Sequence, residues 1–159
     1  MRRKLKSKRI LAPDHRYDSV KVAKLINYVM EKGHKSIARA IVYGALDEVK
    51  KVTKKEPLEV LETAINNAAP LMEIKTRRVG GANYQIPHEV SEERRLTLAY
   101  RWMLEFTRGR QGKPMKNKLA DEIMAAAKGE GETIKRRENV HRMAEANRAF
   151  AHFARKPQS

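Results

Sequence analysis

Glycines 80 and 81 stand between two β-favouring runs, and the segment around them, Glu73 to Val90 (EIKTRRVGGANYQIPHEV), constrains the fold more than any other. It alternates with period two, whereas the rest of the chain repeats its apolar residues at helical spacing. Glycine takes the positive φ that a two-residue hairpin turn of the right twist requires. A hairpin closed there pairs Val79 with Ala82, Arg78 with Asn83, Arg77 with Tyr84, Thr76 with Gln85 and Lys75 with Ile86. One face then carries Lys75, Arg77, Tyr84 and Ile86, the other Ile74, Thr76, Arg78, Asn83 and Gln85, and neither is apolar enough to be a core face. A lone two-stranded hairpin is marginal in water, so something outside it must order it. Two arginines and a tyrosine point to a polyanion with stackable bases.

The flanking periodicity predicts a mainly α, single domain over residues 1–159, of about six helices with the hairpin protruding between the third and fourth. Within it, residues 1–17 form a basic arm, 72–90 the hairpin arm and 155–159 a short tail. Ser19 caps a first helix that Gly33 stops near Lys32, and Ser36 caps a second with Ile37, Ile41, Ala45, Val49 and Val52 at helical spacing. Pro57 opens a third helix and Pro70 ends it; its Glu59 and Glu62 face out, away from any nucleic acid. Ser91 caps a fourth with Leu96, Ala99, Met103 and Phe106 inward, and a fifth carries Leu119, Ile123, Met124 and Ala127. Thr133 caps a sixth whose Val140, Met143, Ala144, Asn147 and Ala151 mark the packed side.

Charge narrows the function. Thirty-five Lys and Arg against nineteen Asp and Glu give +16, which calls for an anionic partner. The cations lie in loops and at the N-terminus as well as on helices, which favours nucleic acid and excludes a basic amphipathic membrane binder. The opening run MRRKLKSKR, with Arg2, Arg3, Lys4, Lys8 and Arg9, reads as a solvated phosphate-binding arm, and the stretch to Tyr17 as extended chain lying on the body. Arg94, Arg101 and Arg108 recur every seven residues in one near-axial row. That row either tracks a phosphate backbone or is solvated, with Arg101 paired to Glu105. Residues 107–118, TRGRQGKPMKNK, read as a flexible basic loop presenting Arg108, Arg110, Lys113 and Lys116. Lys135, Arg136 and Arg137 crowd a helix N-terminus against its dipole, a placement that phosphate contact offsets.

Catalysis and cofactors are not expected. There is no cysteine, and the five histidines show no metal-ligand spacing. His141, four residues before Glu145, reads as half of a surface pair, and Asp121 and Glu122 read as ordinary helix-surface carboxylates. Gly112-Lys113 fails as a P-loop, because Thr107 and Pro114 occupy its required Gly and Ser/Thr positions. No stretch approaches a membrane span or a signal peptide, so a cytoplasmic, soluble protein is expected. Between nucleic acids, a DNA-binding regulator would concentrate base-reading residues on one helix face. Charge spread over an arm, a hairpin, loops and helix ends suits a folded RNA, with Tyr84 either stacking on an unpaired base or packing on Arg77.

The runs TRRVGGANYQIPHEV, ENVHRMAEANRAFAHF and SIARAIVYGAL resemble ribosomal protein S7 of the small subunit, in its bacterial or organellar form, and the similarity covers essentially the whole chain. The resemblance implies a helical bundle with a protruding hairpin that binds the 3′ major domain of small-subunit rRNA and nucleates assembly of the head. It also implies a place near the exit-site tRNA and the mRNA path, with proteins S9 and S11 as neighbours. By position it assigns rRNA contact to Arg3, Lys8, Arg9, Lys35, Arg77, Arg78, Arg94 and Arg95, and a tRNA-proximal tip to Gly80, Gly81 and Tyr84. His15, His34, His88 and the ending Arg-Lys-Pro-Gln-Ser depart from the family's usual residues.

Overall fold

The computed structural model describes residues 11–154. Within them lie six α-helices, one two-stranded sheet and a terminal 3-10 helix. The helices are α1 (Val20–Val29), α2 (Lys35–Thr53), α3 (Pro57–Ala68), α4 (Glu92–Gly109), α5 (Met115–Ala127) and α6 (Glu132–Ala146). Strands β1 (Met72–Val79) and β2 (Ala82–Glu89) sit between α3 and α4, and the 3-10 helix covers Arg148–Ala154. Arg2, Arg3, Lys4, Lys8 and Arg9, and the tail 155–159, lie outside the described residues.

Helix α5 is the hub, packing against α2, α3, α4 and α6. Its Leu119, Ile123 and Ala126 are fully buried with Leu25 and Ile26 of α1, Val42 and Leu46 of α2, Leu61 and Ile65 of α3, and Tyr100 and Met103 of α4 in one apolar core. The outer side of α4 turns Leu98 and Trp102 onto Val140 of α6, a second small cluster. Tyr100, outside the expected α4 stripe, is wholly buried; its hydroxyl donates to the Lys21 carbonyl at 3.2 Å, satisfying the one polar atom it carries inward.

Several helix ends differ from the sequence expectation, each for a local reason. Ser19 does cap α1, accepting from the Val22 amide, but α1 stops at Val29; Lys32 and Gly33 both take positive φ in the link to α2. His34, not Ser36, precedes α2, with no side-chain cap. Ile37 and Val52, near the two ends of α2, are exposed at 58% and 65% rather than packed inward. The segment 107–118 is mostly not loop: α4 runs through Gly109 and α5 starts immediately after Pro114, which cannot donate within a helix but fits ahead of one. Gly131 rather than Thr133 sits at the head of α6, which ends at Ala146; Val140 and Ala144 are buried as expected, whereas Met143 on the outer side of α6 and Ala151 beyond its end are exposed.

The hairpin register is the expected one throughout, from Val79↔Ala82 to Lys75↔Ile86, and continues to Met72↔Glu89. Gly80 and Gly81 turn with φ of 57° and 91°. The base is not bare, because Ile86 and Pro87 are buried and β1 runs along α6. The Leu71 amide, at the entry to β1, donates to His141 Nε2 of α6 at 3.0 Å, so His141 is a tether for the arm rather than a surface partner of Glu145. Further out, β2 packs against the 3-10 helix.

Candidate nucleic-acid interface

The root of the N-terminal arm is fixed by a small aromatic and ionic knot. Asp14 is buried, accepting from the Tyr43 hydroxyl at 2.7 Å and from the Arg16 and Tyr17 amides, which turns residues 15–17 instead of leaving them extended. Burial is the main cause that raises the Tyr43 hydroxyl's pKa, and the bond to Asp14 adds to it. The Arg16 guanidinium lies over the rings of Tyr17 and Tyr43 and bonds Asp47 at 2.8 Å. Exposed Lys35 and half-buried Arg39 flank this root, and the Arg39 Nε is buried without a hydrogen-bond partner.

The candidate cations separate into those spent on the fold and those left free. Arg94 bonds Glu73 at 3.2 Å, fastening the hairpin base to α4, and Lys75 of the same strand bonds it at 2.9 Å. Burial alone would raise the Glu73 carboxyl, but these two hydrogen bonds outweigh it and hold it below the usual range. Arg108 pairs with Glu31 at 3.0 Å and donates to the Tyr28 and Val29 carbonyls, where the C-terminus of α1 leaves acceptors open. Arg137 donates to the Asn67 carbonyl at the end of α3, and Lys135 pairs with Glu132 at 2.8 Å. Arg94, Arg108 and Arg137 join separate elements in the free protein, as does Arg110.

Arg110 bonds Glu122, a carboxylate with no solvent exposure. This corrects the surface reading of Glu122: its Oε1 also accepts from the Thr133 amide, at 3.1 Å, and from the Thr133 hydroxyl. The carboxylate of α5 therefore caps α6, offsetting the cations in its first turns. Lys113 bonds Asp121 at 2.8 Å and Lys118 bonds the Arg110 carbonyl at 2.6 Å, so the connection between α4 and α5 is tied down rather than flexible.

Lys35 of α2, Arg78 of β1, Arg101 of α4, Lys116 of α5 and Arg136 of α6 remain exposed, and none makes a side-chain hydrogen bond or ion pair with a described residue. Arg101 does not pair with Glu105. Arg95 is half-buried with an unpartnered Nε. Period two puts Arg77 and Arg78 on opposite hairpin faces: Arg78 faces solvent, whereas Arg77 donates to the Phe153 carbonyl at 3.2 Å. Gly80 and Gly81 form an exposed tip, but Tyr84 is half-buried, its ring 5.3 Å from Phe150 and 5.4 Å from Phe153. The tail contact, missed in the sequence, carries the signal of two phenylalanines three apart after a helix stop.

Residues 1–148 match the model of a family described as ribosomal protein S7p/S5e. The chain belongs to that family. Relatives include the small ribosomal subunit protein uS7 of Thermotoga neapolitana, 56% identical over 153 residues that span 96% of this chain and 99% of that protein. The same protein of Pelotomaculum thermopropionicum is 58% identical over 146 residues, 92% of this chain and 94% of the relative. That of Hahella chejuensis is 53% identical over 152 residues, 96% and 97% of the two chains. Membership in the S7p/S5e family makes the chain a structural component of the small ribosomal subunit. No helix among the described residues is long and apolar enough to cross a membrane, and no three or more of their His, Asp and Glu side chains group as metal ligands.

Proposed function

We propose that this chain is a non-catalytic primary rRNA-binding protein that holds the 3′ major domain of small-subunit rRNA and nucleates assembly of the head. The observation that carries this is that the candidate cations left exposed and unpaired among the described residues, Lys35, Arg78, Arg101, Lys116 and Arg136, lie on five different elements. Cations on a single helix would suit a groove of duplex DNA, whereas this spread suits a folded RNA with phosphates on several sides. Arg2, Arg3, Lys4, Lys8 and Arg9, in the sequence ahead of the described residues, add to the charge available for phosphate. Arg77, Arg94, Arg108, Arg110, Lys113, Lys135 and Arg137 contribute field around it while bonded within the protein, and half-buried Arg95 adds to that field. The hairpin tip of Gly80 and Gly81 reaches toward exit-site tRNA and the mRNA path, and proteins S9 and S11 are the neighbours. Purified protein mixed with small subunits reconstituted without it should co-sediment with them through a high-salt wash. Release of the protein into the supernatant at every salt concentration would refute the assignment.

A further inference from the structure

Past Ala146 the chain leaves α6 and doubles back along the hairpin. Asn147 has left helical geometry, with φ of −97° and ψ of 12°, and Arg148–Ala154 winds as a 3-10 helix, a form with poorer hydrogen bonds than an α-helix. Phe150 and Phe153 set their rings beside that of Tyr84 at 5.3 and 5.4 Å, and the Phe153 carbonyl accepts from Arg77. Two rings and one side-chain hydrogen bond thus hold this segment to the strand, while Ala149, Ala151 and His152 stay exposed.

A base stacked on Tyr84 needs the space these rings fill. The two rings, tilted by 57° and 36° against that of Tyr84, cover it, and Arg77, the cation on the same hairpin face, is engaged by the same segment. We infer that Arg148–Ala154 is an internal strap that occupies the Tyr84 stacking surface and is displaced when an unpaired RNA base stacks there. This rests on reading the hairpin as an RNA-binding arm. The strap reduces apparent affinity for single-stranded RNA to the fraction of molecules in which it is open, so a bare strand binds more weakly than it would to an uncovered Tyr84.

The test uses the full chain and a ten-residue oligouridylate, which has no secondary structure, with binding read by fluorescence anisotropy. Phe150→Ala combined with Phe153→Ala should tighten binding by about tenfold, the scale set by two aromatic pairs, and adding Tyr84→Ala should remove the gain. In the unmodified protein, bound oligouridylate should speed chymotrypsin cleavage after Phe153. Equal or weaker binding by the double variant, or protection of Phe153, overturns the strap while the unmodified protein's binding stands. Absence of salt-sensitive binding by both proteins overturns the RNA reading and the strap with it.

Discussion

His141 is the residue where a small pH change acts on the arm. Its Nε2 accepts from the Leu71 amide, which only the neutral ring can do, and burial together with the nearby Arg137 lowers its pKa below the ordinary 6.5. Because the folded value is depressed, the unfolded chain binds more protons between the two values, so stability rises with pH across that window. The tether is complete above pH 6.5 and is lost as pH falls through the folded value. Thermal unfolding should therefore show a melting temperature that is level just above pH 6.5 and drops as pH falls below it. His141→Gln, whose amide oxygen still accepts, should lose the part of this drop due to the imidazole; an unchanged profile would assign it to other groups. Nothing near His141 in the sequence announces this role, since its partner lies 70 residues away and the closer Glu145 offered an apparent pairing.

At the level of elements, legibility tracked how local the deciding interaction is. The hairpin register is set by two glycines and a period-two pattern within 18 residues, and it was readable to the last expected pair. The turn between α5 and α6 was not, because the cap of α6 comes from Glu122, 11 residues before Thr133 and on another helix. A sequence in which Asp121 and Glu122 are adjacent does not say which one turns inward; packing of α5 at the centre of the bundle decides it. Glu122→Ala strands Arg110 and uncaps α6, and should destabilise the fold by about 3 kcal/mol, measured by urea denaturation. A loss below about 1 kcal/mol would mean that water replaces the carboxylate and that the connection is not held by it. The same limit on locality explains the arm's outer part: the phenylalanines that cover Tyr84 follow it by 66 and 69 residues.

Across the whole molecule, the excess of positive charge is divided between two tasks. Much of the arginine predicted to meet RNA is spent inside the free protein, joining the hairpin base to α4, the end of α1 to α4 and the end of α3 to α6. What remains is a spaced set of free cations carried by a rigid core, and the sequence alone could not sort the two groups, because the sorting depends on carbonyls and carboxylates distant along the chain. Each phosphate neutralised steepens the salt dependence of binding by about 0.7–0.9 in log K against log salt. One phosphate at each of Lys35, Arg78, Arg101, Lys116 and Arg136 therefore implies a slope of about −4, steeper still with the N-terminal arm engaged. The decisive measurement is the affinity of the unmodified protein for a 3′ major-domain rRNA transcript across a salt series, in the presence of excess duplex DNA. A slope at least that steep, with binding that survives the DNA, is the predicted result; a slope near zero, or complete loss of binding to the competitor, would contradict it.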